Sequence, residues 1–373
     1  MLRALCLLAV VAACGESGPE PVVDAGPAPL PATRAAQLIL VVDDSGGNQE
    51  EQDELVDVVP ALIRSLLNGR WTPDDFGPVF DFPPVTDLRI AVLGHDMGTG
   101  GFEVPTCREP RFGDDGLFSN IGNVAAGPLC EASYPRFRRL GAGDGALESV
   151  IQGVECVSQR GVGGCGFEQP LESLLKAVTP ASSMLRVQEG TRGHADGAHA
   201  GCFREDAVLA VLFMATEDDC SAADPGIFDP RSESYPGDLN IRCFNYPEAI
   251  HPVARYVEGL QAVSDPRRIV FVPLVGVPAA LVPEPEVTPD WSALRAEPVL
   301  QARVNPDDDT SLLQSCSVPG RGRAFPPPRI LAVADGLAAA GAHTGLASTC
   351  GEDYRPAAES LVRNIAAAME AVP

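Results

Sequence analysis

Two short acidic clusters each close an unbroken apolar run, and their residue types make them the first places where chemistry could reside. Asp43-Asp44-Ser45-Gly46-Gly47 follows the run Gln37 to Val42, and Thr216-Glu217-Asp218-Asp219 follows Ala207 to Met214. Carboxylate and hydroxyl oxygens brought together can hold a cation or a polar ligand. A hydrolytic site would need something else: a nucleophile held on a helix start, beside a base and an orienting acid. His199 and His343 are conceivable bases and Ser182-Ser183 a conceivable nucleophile. The serines, however, follow Thr179-Pro180 at the end of a helical pattern with no glycine before them, so a secreted hydrolase is only a remote alternative. His194-Ala195-Asp196-Gly197-Ala198-His199 reads as an exposed Gly-rich turn rather than a metal loop. Asn305 to Thr310 lacks the Gly and terminal Glu of an EF-hand loop and reads as a solvated acidic turn.

The elements around these clusters follow from hydrophobic patterning. Gln37–Val42, Asp87–Gly94, Ala207–Met214 and Arg268–Val275 are continuous apolar runs, as expected of strands buried on both faces of a parallel sheet. Helical spacing marks residues 48–67, 168–178, 251–263 and 355–371, while 330–340 fits a short strand or helix. Pro60 should kink the first helix or start its second half. Residues 98–165, 220–247 and 278–328 are rich in Gly, Pro or Cys and predict loop excursions with little regular structure. Strands alternating with helices predict an α/β fold with a doubly wound, mostly parallel sheet, helices on both faces and long disulfide-bearing loops. Ligands of such sheets sit at the carboxyl ends of the strands. Both acidic clusters fall there, and this convergence is the main functional clue.

Composition narrows the compartment and the partners. The formal charge is −24, which repels phosphate backbones and argues against nucleic acid as a partner. The chain is 45% hydrophobic and 21% charged, enough to build a core. Beyond Cys6 and Cys14, its cysteines are Cys107, Cys130, Cys156, Cys165, Cys202, Cys220, Cys243, Cys316 and Cys350, with no Cys-x-x-Cys spacing. That usage suits disulfides in an oxidising envelope. Pairing through local loops gives Cys107–Cys130, Cys156–Cys165, Cys220–Cys243 and Cys316–Cys350, leaving Cys202 unpaired or intermolecular.

Met1-Leu2-Arg3, the apolar run Ala4 to Val11 and the small residues Ala12-Ala13 have the pattern of a secretory signal. Val11-Ala12-Ala13-Cys14 resembles the lipobox of bacterial lipoproteins, which implies lipidation of Cys14 and cleavage before it. Residues 1–13 are then a signal peptide and 14–35 a flexible Pro/Ala-rich stalk that begins with the lipidated Cys. Residues 36–373 form one domain with loop insertions. The expected location is the cell envelope, anchored by lipid. Gly15 lacks the acidic character that favours inner-membrane retention, which points to the outer membrane.

Leu40 to Gln52 resembles the opening of a von Willebrand factor type A domain, in the cysteine-bearing version of bacterial surface lipoproteins. Four more stretches resemble it in the same order: Ile90–Gly98, Gly164–Glu172, Glu217–Ser221 and Leu274–Pro278. The resemblance implies a metal-ion-dependent adhesion site for Mg²⁺ or another divalent cation. Asp43 and Ser45 match its first two ligands, and Glu217 and Asp218 lie one and two residues past Thr216, which aligns with the third-loop Asp. Gly47 replaces the second Ser, and Gly164-Cys165-Gly166 offers no Thr, so the site is degenerate. The expected activity is non-catalytic binding of a protein or surface polymer. The alternative is a purely structural envelope protein with a vestigial metal site.

Overall fold

The computed structural model describes residues 28–72, 80–141 and 146–372. Cys14, the signal sequence and most of the expected stalk lie outside them. A seven-stranded sheet organises the chain. Its strands are β1 (Ala35–Val42), β2 (Asp87–Gly94), β3 (Phe137–Gly141), β4 (Val208–Ala215), β5 (Ile269–Val275), β6 (His343–Thr344) and β7 (Ala347–Ser348). The order across the sheet is β6-β5-β4-β1-β2-β3, with β7 also on β5. All pairings are parallel except β2 with β3. In the centre, Leu38 registers with Ala210 on one side and Ile90 on the other.

Every residue of β1, β2, β4 and β5 is buried, which is why these strands read as continuous apolar runs rather than alternating ones. Alternate side chains leave the sheet on opposite sides. Leu38, Leu40, Val92 and Leu212 pack under α1 (Gln49–Asn68), α2 (Leu147–Ser158) and α7 (Arg355–Ala368). Ile39, Val41, Leu93 and Phe213 pack under α3 (Pro170–Val178), α4 (Ala254–Val263), α5 (Trp291–Ala296) and α6 (Pro328–Ala339). The result is an α/β molecule with a mostly parallel central sheet covered on both faces.

Several expectations change in detail. The first helix runs across Pro60 without restarting and ends at Gly69, whose φ of 69° and N–H to Ser65 carbonyl (2.9 Å) form a left-handed C-cap. Residues 98–165 are not merely loop, because they supply β3 and α2; their Gly and Cys content masked a short strand and a 12-residue helix. Residues 330–340 resolve as helix α6. Within residues 14–35, Leu30 exchanges backbone hydrogen bonds with Val372 at 2.8 and 2.9 Å, so the chain is held from there onward. Among the described residues, no helix is long and apolar enough to cross a membrane.

Among the described residues four disulfides form, two of them not as local pairing predicts. Cys220–Cys243 and Cys316–Cys350 match, whereas the other four cysteines pair as Cys107–Cys165 and Cys130–Cys156. The expected Cys107–Cys130 and Cys156–Cys165 bridges assumed that each cysteine meets its neighbour along the chain. Instead the excursion after β2 folds back, so Cys107 lies 4.1 Å (Cα to Cα) from Cys165, just before α3. Cys202 is free and buried, and burial pushes its thiol up to about 12, which disfavours the reactive thiolate.

Candidate functional site at the carboxyl edge of the sheet

From β1 the chain proceeds to β2 on one side of the sheet and later to β4 on the other, so the strand order reverses at β1. The carboxyl ends of β1 and β4 flank this switch point, and both acidic clusters are there. Asp43 is fully buried. Its Oδ1 accepts from the Ser45 amide at 3.0 Å and its Oδ2 from the Thr216 amide at 3.1 Å. The Thr216 hydroxyl lies 3.1 Å from Asp43 Oδ2 and 2.9 Å from Asn48 Oδ1, tying the two strand tails together.

Two residues that sequence reasoning left out of the site occupy its centre. His95 follows directly on β2, and Glu168 precedes α3. His95 Nδ1 lies 3.3 Å from Glu168 Oε2 and 3.7 Å from Asp43 Oδ1, and all three residues are buried. Ser45 Oγ donates to Glu168 Oε1 at 2.5 Å and accepts from Asn48 Nδ2 at 2.8 Å. Burial alone would lower the His95 pKa, but Asp43, Glu168 and Asp44 outweigh it and raise the pKa to about 9. Burial, followed by the nearby Asp43 charge, holds the Glu168 carboxyl well above the usual range. The signal available beforehand was positional: His95 caps a buried parallel strand, the place where such sheets put their ligands.

The remaining expected ligands diverge. The Asp218 carboxylate accepts from the Arg329 amide at 3.1 Å and the Ile330 amide at 3.3 Å, capping the start of α6. Glu217 stands on a cleft wall, where crowding by protein and then Asp43 raise its pKa to about 7 against the pull of Arg323. Neither belongs to the close group formed by Asp43, His95 and Glu168. Gly47 has φ 100°, a left-handed conformation that a serine there could adopt only with strain. Asp44 turns away to a second buried cluster. Burial alone would raise its pKa, but Arg160 holds it below the usual range, with Nε and Nη2 at 2.9 and 2.8 Å from Oδ2. A Cβ on Gly164 would stand 2.7 Å from Asp44 carbonyl oxygen, so this close approach requires glycine.

Above the group opens a cleft of about 930 Å³. Ser45, Glu168 and Glu217 contribute polar atoms to it, while Phe167, Phe244 and Phe325 contribute apolar surface. One wall is brought to the sheet by the Phe325 amide, which donates to the Thr216 carbonyl at 2.8 Å. No protein-family profile matches the chain, and no curated protein matches it. Among solved structures it is similar to proximal thread matrix protein 1 from the mussel byssus, crystal form 2. That similarity has 11% identity and a TM-score of 0.30, and spans 66% of this chain and 39% of the other.

Of the conceivable hydrolytic residues, His199 is committed elsewhere. His199 is buried in the core rather than on an exposed turn, stacked on Phe118 with ring centroids 3.7 Å apart. Its Nε2 accepts from the Phe118 amide (2.9 Å), so Nδ1–H donates to Ala177 carbonyl (3.0 Å) and neither nitrogen is left for a nucleophile. Burial lowers its pKa from 6.5 to about 4. The folded state therefore binds fewer protons than the unfolded chain between those values. Its contribution is complete above pH 6.5 and is lost as pH falls toward 4. Roughly 3 kcal/mol of acid sensitivity should trace to this residue, at about 1.4 kcal/mol per unit. Urea unfolding of wild type and His199→Gln across that window checks it: the variant should show the shallower pH slope, and equal slopes would exclude the assignment.

Proposed function

We propose that this chain is a non-catalytic binding protein of the cell envelope, a von Willebrand A-like domain displayed from a lipid anchor at Cys14. The observation that carries the reading is the large cleft seated on the switch point of a parallel sheet. Ser45, Glu168 and the exposed Glu217 line it, and buried Asp43 is held by the Ser45 amide. Clefts at that position are where α/β sheets bind ligands. The mixed lining suits an extended segment of a protein or a surface polymer, with the three phenylalanines as apolar anchors and the exposed Arg108 and Arg323 as polar ones. One conceivable hydrolytic base is unavailable, because His199 has both nitrogens committed within the core.

The Cys14→Ser chain, expected to leave the membrane fraction, is the probe for ligand binding. It should sediment saturably with isolated envelope fragments. Phe244→Ala and Arg323→Glu should each weaken that association by about 10-fold or more, the size expected of an anchor residue. Their melting temperatures should be unchanged. Binding that is indifferent to both cleft substitutions would shift the reading to an assembly protein using another surface.

A further inference from the structure

The three side chains beneath the cleft form a donor set suited to a different metal from the one the resemblance implies. A magnesium site needs oxygen ligands in near-octahedral array. Here Gly47 offers none, the Ser45 hydroxyl donates to Glu168, and Asp218 is engaged by the first amides of α6. What is gathered instead is one imidazole nitrogen and two carboxylates, with ligand atoms all within 4.8 Å of one another. An imidazole among carboxylates moves the preference from hard cations toward zinc and its neighbours.

Geometry agrees. Zinc bonds to nitrogen and oxygen of about 2.0–2.1 Å imply tetrahedral ligand separations of about 3.3–3.4 Å. His95 Nδ1 lies 3.3 Å from Glu168 Oε2 and 3.7 Å from Asp43 Oδ1, and all the ligand atoms lie within 4.8 Å of one another, so a modest inward shift closes three ligands on one ion. The His95 ring is fully buried and turns Nδ1 to the two carboxylates, while Nε2 has no hydrogen-bond partner among the described residues. Glu168 and Ser45 also line the cleft, which leaves room for a fourth ligand from that side. Among the described residues a second cluster of metal-type side chains, Asp96 with Cys107 and Cys165, has both sulfurs committed to a disulfide.

We propose that Asp43, His95 and Glu168 bind a zinc-class divalent cation, with a fourth coordination position open to the cleft. This deepens the reading of the edge as the binding site, and it is tested with the metal alone. The purified full chain is titrated with Zn²⁺ against a chromogenic chelator, in mildly alkaline buffer where ligand protons compete least. One ion per chain should bind, at least about 100-fold more tightly than Mg²⁺, since magnesium gains little from an imidazole. Co²⁺ should give the intense visible bands of a tetrahedral nitrogen-and-oxygen site. His95→Asn and Glu168→Gln, both close in shape to the native residues, should each weaken Zn²⁺ binding by more than about 100-fold, the upper end of losses from an outer-shell partner. Circular dichroism shows whether each variant is folded. If a variant fails to fold, the wild-type Zn²⁺ and Co²⁺ titrations decide alone. Absence of Zn²⁺ uptake by the folded wild type, or uptake unchanged in both variants, overturns the metal assignment. The cleft reading would survive that result, because its test substitutes Phe244 and Arg323 and none of the three ligands.

Discussion

Replacing Arg160 with methionine is expected to lower the unfolding free energy by roughly 3–5 kcal/mol, the cost of leaving a buried charge unpartnered. The guanidinium is 9% exposed and holds Asp44, which is 6% exposed, through two hydrogen bonds to one carboxylate oxygen. It also pairs with Asp114. Burial raises the Asp114 pKa despite that pairing, so the cluster already has one reluctant acid, and loss of the cation would leave two. There is little space for relaxation, because a Cβ on Gly94 would stand 2.6 Å from both the arginine and Asp44. Urea unfolding at constant slope measures the loss. Adding Asp44→Asn to the variant should restore much of it, since the uncompensated carboxylate causes the cost. A loss below about 1 kcal/mol, the range of exposed pairs, would mean that water reaches the cluster.

Removal of the Cys107–Cys165 bridge should cost about 4 kcal/mol, because it closes the longest loop of the four, with a sequence separation of 58. The same chain-entropy argument gives about 3 kcal/mol for Cys220–Cys243, with a separation of 23. A Cys107→Ser/Cys165→Ser chain should therefore melt below a Cys220→Ser/Cys243→Ser chain. The site should feel the first change more strongly. Gly164, next to Cys165, donates its amide to Asp44 carbonyl at 2.8 Å, and Glu168 follows three residues after the cysteine. Non-reducing peptide mapping gives an independent reading. A peptide joining Cys107 to Cys130 would contradict both the bridge and its predicted energetics.

The difference between expected and observed bridges separates what local sequence carries from what it does not. Apolar runs such as Leu38–Val42 and Val208–Met214 are legible because burial on both faces leaves no polar positions to confuse the pattern. The strand ends are legible too, since Asp43 and Thr216 interrupt those runs, and in a parallel sheet both interruptions lie at one edge. The pairing of Cys107 with Cys165 and of His95 with Glu168 was not legible. Their separations, 58 and 73 residues, are bridged by a chain whose path depends on β3 and α2, elements obscured by glycine and cysteine.

By itself, then, the sequence determined the α/β class, the central strands and the edge where acidic groups collect. These depend on hydrophobic periodicity and on residues that end it, both written within a few positions of one another. Tertiary structure decided the rest. It chose His95 and Glu168 over Glu217 and Asp218 as the close neighbours of Asp43, and sent Asp218 to cap α6. The reason is that side-chain direction at a strand end is fixed by the register of neighbouring strands and by loops closing over them, and a linear pattern contains neither.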